Sequence, residues 1–243
     1  MLNKNKIVVL LMLGTSFVPL AHASSFNEPY LGVEAIQTNQ DYKLHHGKNV
    51  FKKNVQDYSV FGGFKFSHHF GAELGYEFQP QRKKTVSAGS STAIPAKDDL
   101  FDELFNSSSI TSTNRIKGQH PYLGLFGEYK HHFSNSHKMR FQAMLGASIS
   151  KVKIKQHISS VTGTALADDV TGATLTGSKS KVVPMVKLSA LYEFTEQFGV
   201  RLGVNYRNLS AIKIKIDQDT THTQQVKLKD TFGLGLGLVY MFN

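Results

Sequence analysis

The chain has 243 residues, with 28 Lys plus Arg against 18 Asp plus Glu, a formal charge of +10, and no cysteine. The missing thiols exclude a disulfide framework, thiolate metal ligation and cysteine nucleophiles. The basic balance favours acidic partners such as lipid phosphates or anionic glycans.

The first element in the chain is a leader. Lys4 and Lys6 precede the apolar run Ile7 to Leu13, and Ala21-His22-Ala23 offers a small-x-small cleavage site, which together form the pattern of a secretory signal peptide. Gly14, Thr15, Ser16 and Pro19 interrupt the run, well short of the roughly 20 residues that a spanning helix needs. Cleavage after Ala23 divides the chain into a signal peptide, 1–23, and one mature domain, 24–243, with 26 basic against 18 acidic residues. Nothing in that domain reads as a helical span, so the exported chain is secreted, periplasmic or an outer-membrane barrel.

Eight segments then alternate with the period of a strand, in which successive side chains face opposite sides. The first, Tyr30 to Gln37, turns Leu31, Val33 and Ala35 outward and Gly32 and Glu34 inward. The second, Asp57 to Phe66, sets Tyr58, Val60, Phe64 and Phe66 against Ser59, Gly63 and Lys65. After Ser67-His68-His69, the third sets Phe70, Ala72, Leu74, Tyr76 and Phe78 against Gly71, Glu73, Gly75 and Glu77. The fourth, near His120 to Phe133, has Leu123, Leu125, Tyr129 and Phe133 outward and Tyr122, Gly124, Glu128 and Lys130 inward. A turn over Ser134 to His137 leads to the fifth, with Met139, Phe141, Ala143, Leu145, Ala147 and Ile149 opposed to Arg140, Gln142, Gly146 and Ser148. The sixth sets Val186, Leu188, Ala190, Tyr192 and Phe194 against Lys187, Ser189 and Glu193, and the seventh sets Phe198, Val200, Leu202, Val204 and Tyr206 against Arg201, Gly203, Asn205 and Arg207.

The eighth alternates from Val226 to the end, with Val226, Leu228, Phe232, Leu234, Leu236, Leu238, Tyr240 and Phe242 on one face. Its stretch from Phe232 to Phe242 has the length, roughly 9 to 11 residues, of a tilted strand that crosses a bilayer. Phe66, Phe70, Phe133, Phe194, Phe198 and Phe242 flank short turns or the terminus in the outward phase, as one aromatic girdle does, and Tyr58, Tyr76, Phe78, Tyr206 and Phe232 suit the other. The short turns then face the periplasm. The loops Asp41 to Gln56, Gln79 to Gly118, His157 to Ser180 and Asp217 to Gln224 face outside, with a short amphipathic helix expected within Pro95 to Phe105.

On these residues the chain resembles the small eight-stranded outer-membrane proteins typified by the OmpA transmembrane domain, the OmpX and Ail adhesins and the opacity-type surface proteins. The carriers are the strand set, the Tyr30-Leu31-Gly32-Val33 opening and the ending Gly237-Leu238-Val239-Tyr240-Met241-Phe242, followed here by Asn243. The resemblance implies an all-β, eight-stranded antiparallel transmembrane up-and-down barrel, a monomer in the outer membrane of a Gram-negative bacterium. That ending looks like the signal read by the barrel-insertion machinery. The role it implies is surface interaction through external loops, in adhesion, envelope integrity or host-factor binding; a narrow channel for small solutes or ions is the alternative.

Two constellations carry the expectations about sites. An eight-stranded lumen is just wide enough for side chains to fill it, so Glu34, Glu73, Glu77, Glu128 and Glu193 are expected to pair with Lys65, Lys130, Arg140, Lys187, Arg201 and Arg207. A basic outer rim is expected from Lys151, Lys153, Lys155, Lys179, Lys181, Lys213, Lys215, Lys227 and Lys229, those of the fifth strand facing lipid headgroups and those of the seventh and eighth facing the mouth. Its partners would be lipopolysaccharide or an acidic glycan of a host surface.

Adjacent histidines such as His68-His69 and His131-His132 face opposite sides of a strand and chelate poorly, so no metal and no cofactor is expected. His132 and Ser134 echo a segment of the outer-membrane lipid A deacylases. The orienting carboxylate is missing, because Gly146 stands where their Glu would be, and an enzyme is not expected. Nor is nucleic-acid binding, since no helix or aromatic platform carries the lysines.

Overall fold

The computed structural model describes residues 28–40, 42–44, 54–88, 109–133, 137–162, 172, 174–209, 212–217 and 223–242. The expected signal peptide, the segment Pro95 to Phe105, Ser134 and Asn243 lie outside the described residues. Among the described residues eleven strands form: β1 (Tyr30–Asn39), β2 (Tyr42–Leu44), β3 (Asn54–Lys65), β4 (Phe70–Ala88), β5 (Ser109–His132), β6 (Lys138–Thr162), β7 (Thr174–Glu193), β8 (Phe198–Arg207), β9 (Lys213–Asp217), β10 (Thr223–Leu228) and β11 (Thr231–Met241).

Eight of them close a barrel. Each is antiparallel to its neighbours in the circular order β1-β3-β4-β5-β6-β7-β8-β11, and the ladder Tyr30↔Met241 to Asn39↔Phe232 joins the last strand to the first. Closure leaves no edge exposed in the bilayer, where unpaired backbone groups are costly. The turns Ser67–His69 and Thr195–Gln197 are built alike. Phe66 N and Phe194 N donate to Phe70 O and Phe198 O at 3.2 Å, and the hydroxyls of Ser67 and Thr195 accept from Phe70 N and Phe198 N at 3.0 and 2.9 Å.

The remaining strands build a second storey beyond the membrane band. β2, β9 and β10 follow β1 and β8 and precede β11, pairing as β9-β10-β2, with Thr176↔Asp217 linking β9 to β7. β5 and β6 reach 24 and 25 residues, more than twice the roughly 9 to 11 that cross a bilayer. The expected loops are therefore shorter than the sequence suggests, because 79–88, 109–118, 157–162 and 174–180 belong to strands. Their outward side chains face water rather than lipid, so the apolar half of the alternation that marks a membrane strand is missing there.

Along β6 the two storeys keep one pleat and invert polarity. Within the membrane band Phe141 and Leu145 are exposed and Arg140 and Gln142 buried; above it Lys151 and Lys155 are exposed and Val152 and Ile154 buried. Ile116, Val152, Ile154, Val183, Leu209, Ile212, Ile214 and Leu228 pack as an apolar cluster inside the upper storey. Leu228 was expected on the lipid face, yet it is only 2% exposed. Lys229 and Asp230 both face out before Thr231 turns inward, and this extra residue resets the phase, as a bulge does. Leu209 and Ile212 are both buried, so the phase differs between β8 and β9, and Lys213 lies on the outer wall between buried Ile212 and Ile214, not toward the mouth. A third reset sits at Pro80-Gln81, where the β4–β5 register jumps from Gln79↔Gly118 to Arg82↔Ile116, a place where proline's missing N–H is tolerated.

Inward glycines make the room that inward aromatics need. A Cβ on Gly75 would strike the ring of Tyr122, its cross-strand partner, and one on Gly235 would strike the Glu34 carboxylate. Gly75→Val is expected to lower barrel stability by about 1–3 kcal/mol through overpacking. Ala72→Val, on the lipid face of the same strand, should stay within about 0.5 kcal/mol. Urea unfolding in bilayers, read by the folded and unfolded bands of unheated gels, checks both.

Candidate functional site

The lumen holds three charged layers beneath the apolar cluster. At the level of the short turns, Lys65 Nζ lies 2.9 Å from Glu128 Oε1, and Arg140 pairs with Glu193 and Glu128. Gln142 Nε2 donates to the other Glu128 oxygen at 2.9 Å. A middle layer centres on Arg201, whose Nη1 is 2.6 Å from Glu73 Oε2 and whose Nη2 is 3.0 Å from Glu34 Oε2. Lys187 Nζ adds contacts of 2.7 Å to Glu34 and 3.7 Å to Glu73.

Glu73 also accepts from the hydroxyls of Tyr30 and Tyr122, each at 2.8 Å. Tyr122 reaches Glu73 from the neighbouring strand and Tyr30 from two strands away, whereas Arg201 on β8 reaches it across the lumen. Phe61 lies under the guanidinium of Arg201, 3.3 Å from its ring centroid, with Lys187 Nζ at 5.2 Å. A cation stacked on a ring face gains from the ring quadrupole. The third layer pairs Arg207 with Glu77, which also accepts from Asn205 Nδ2 at 3.4 Å.

Thus every inward charge expected from the alternation meets an opposite charge, although Lys130 does so at the rim, through Glu28 rather than through a lumen acid. Six further residues at or inside the lumen carry no flag in the sequence analysis. Asp57 is 1% exposed at the level of Glu77 and Arg207. Gln79 Nε2 donates to Gln40 at 2.8 Å, and His120 Nδ1 lies 3.1 Å from Ser150 Oγ. Glu28, just before β1, gathers Lys65 at 2.7 Å, Lys130 at 3.5 Å and Arg140. The inward phase of the strands flags Asp57, Gln79, His120 and Ser150; Glu28 keeps the inward phase of β1 but lies before its first residue.

The basic residues distribute differently from the expected rim. Lys151 and Lys155 are exposed and Lys153 half-exposed on the outer face of β6. Lys179 and Lys181 stand opposite buried Val152 and Ser150 in register, and both are exposed. They occupy the part of β7 between its ladder with β8, which ends at Met185↔Arg207, and its bridge to β9 at Thr176. Lys229 is exposed, while the side chains of Lys215 and Lys227 lie outside the described residues. Lys83, Arg115 and Lys117, not anticipated, share the outer wall with them. His132 is exposed at the end of β5, and among the described residues no group of three or more His, Asp or Glu is arranged to hold a metal.

A closed antiparallel barrel with an apolar outer band, aromatic girdles and paired charges within is the architecture of a small outer-membrane protein. The chain belongs to the outer membrane protein β-barrel domain family, whose profile matches residues 7–242. Similar solved structures include OprG of Pseudomonas aeruginosa, with 14% identity over 89% of this chain and 96% of that one and a TM-score of 0.46. Ail of Yersinia pestis, solved in complex with the heparin analogue sucrose octasulfate, has 13% identity over 89% and 99% and a TM-score of 0.43. AlkL in lipid bilayers has 13% identity over 92% and 94% and a TM-score of 0.40. No curated protein matches the chain in sequence.

Removing one partner from a buried charge cluster leaves the others uncompensated. Arg201→Met is therefore expected to cost about 3–5 kcal/mol, seen as a lower urea midpoint in bilayers. At the rim, burial raises the pKa of Glu28, but the Lys65 hydrogen bond and the charges of Arg140, Lys65 and Lys130 outweigh it and hold the carboxyl at about 2 against an ordinary 4.5. The folded pKa lies below the unfolded one, so the stabilising contribution is present above pH 4.5 and is lost as pH falls from there through about 2. Carbon-13 NMR of the Glu28 carboxyl should give a midpoint well below the ordinary value, and Lys130→Gln should move it up.

Proposed function

We propose that the chain is an exported, monomeric surface-interaction protein whose upper storey binds acidic polymers, lipopolysaccharide or an anionic glycan of a host surface. The observation that carries this reading is a row of cations in cross-strand register. Lys83 stands opposite Arg115 and Arg115 opposite Lys155, all exposed, with Lys117 opposite Lys153 in the row nearer the membrane. Like charges placed directly across a sheet destabilise it. Such rows gain from a polyanion laid across them, which supplies the counter-charge that the sheet lacks.

Conduction is served less well by this interior. An ion passing through would meet three ion-paired layers and then the apolar cluster of Ile116, Val152, Ile154 and their neighbours. The role is binding rather than chemistry.

Binding of the refolded mature chain to immobilised heparin tests the reading. The combined variant Arg115→Gln, Lys117→Gln, Lys153→Gln and Lys155→Gln should lose two to three orders of magnitude in affinity, at about 1 kcal/mol per cation. The wild-type affinity should fall steeply with salt. Salt-independent binding, or a variant that binds as the parent does, would sink the proposal. Discrete single-channel openings changed by Glu73→Ala would favour the channel instead.

A further inference from the structure

At the end of the barrel opposite the basic wall, three cations from three strands converge on a carboxylate that belongs to no strand. Glu28 Oε2 lies 2.7 Å from Lys65 Nζ of β3 and also pairs with Arg140 of β6, while Glu28 Oε1 lies 3.5 Å from Lys130 Nζ of β5. The strands themselves answer those cations with the carboxylates of Glu128 and Glu193. That leaves one positive charge unbalanced at this level, that of Lys130, whose side chain is 26% exposed beside those of Lys65 and Arg140 at 5% and 9%. A buried charge without a counter-ion is strongly disfavoured. The rigid part of the site therefore calls for an anion, and in this structure the flank of β1 supplies it.

The seat also has room. A cavity of about 370 Å³ adjoins it, lined by Glu28, Lys65, Ser67, His68, His69 and Lys130 together with Tyr129. The Glu28 side chain is 44% exposed and sits on this opening. Lysine, hydroxyl and imidazole groups around this opening, with the Arg140 guanidinium on Glu28 beside it, are the donor set that phosphate takes, and phosphate offers more acceptor oxygens and more charge than a carboxylate.

We propose that this mouth is a phosphate-binding site, that Glu28 occupies it as an internal stand-in, and that a phosphate-bearing ligand displaces Glu28. In the outer-membrane barrels the short turns lie on the periplasmic side. The phosphate comes either from a free phosphate or phosphate ester there or from a phospholipid headgroup of the adjoining leaflet. Glu28 competes from within the same chain, at an effective concentration of about millimolar. Binding to the wild type is correspondingly weak and is unmasked when that carboxylate loses its charge.

The test is a phosphorus-31 NMR titration with inorganic phosphate of the folded mature chain in maltoside micelles, which contain no phosphate. Glu28→Gln should bind about tenfold or more tighter than wild type. Adding Lys130→Gln, a change at the most exposed of the three cations, should reverse most of the gain. Equal affinity of the wild type and Glu28→Gln, with folding verified by gel mobility, would overturn the proposal, as would indifference to Lys130→Gln. A second arm uses nanodiscs containing phosphatidylglycerol. Loss of the phosphate response of Glu28→Gln there assigns the seat to lipid headgroups, and its retention assigns it to free phosphate.

Discussion

Arg201 shows the constraint on which the rest of this barrel depends. A closed sheet of eight strands leaves a lumen too narrow for bulk water, so a guanidinium pointing inward must be solvated by protein. Glu34 and Glu73 take its hydrogens and Phe61 takes its face. Tyr30 and Tyr122 then complete the lone pairs of Glu73. Its partners come from the consecutive strands β1, β3, β4 and β5, while Arg201 itself stands on β8, which pairs with none of them, so one charge ties opposite walls that never touch through their backbones. The inward glycines at Gly75 and Gly235 follow from the same requirement, because the side chains that reach across need unoccupied wall to lie against.

The second storey answers the reverse problem. Above the membrane band the surroundings are water, and the polarity of the pleat inverts: lysines outside, Val152, Ile154, Ile116 and Val183 within. The lower interior is charged because the outside must be apolar. The upper interior is apolar because the outside need not be. Phase resets at Pro80-Gln81, between Leu209 and Ile212, and at Lys229-Asp230 fall near the junction, where strands that follow one alternation below must present another above.

This division explains which parts of the structure could be read from the sequence. The membrane storey was legible, since lipid outside and packed polar groups inside impose strict alternation, as from Leu123 to Lys130 and from Arg140 to Ile149. The extensions 79–88 and 109–118 were not, because polar residues on a water-facing strand look like those of a loop. Leu228 was placed on the wrong face because a one-residue bulge leaves no mark in composition yet reverses every position beyond it. The lumen charges were legible as a set, but their pairing was not. Glu28 keeps the inward phase of β1 but precedes its first residue, and its partners depend on where the flank of β1 folds against the mouth.

The β6–β7 ladder runs from Lys138↔Glu193 to His157↔Thr174 without a register shift. Both storeys of that wall are consequently locked to a single phase. Loss of one residue near Ala143 would not be absorbed locally; it would carry Lys151, Lys153 and Lys155 to the inside and Val152 and Ile154 to the water. Changes in length along this wall are therefore confined to its tips, while the strands carrying resets have places where a residue gained or lost disturbs one storey and spares the other.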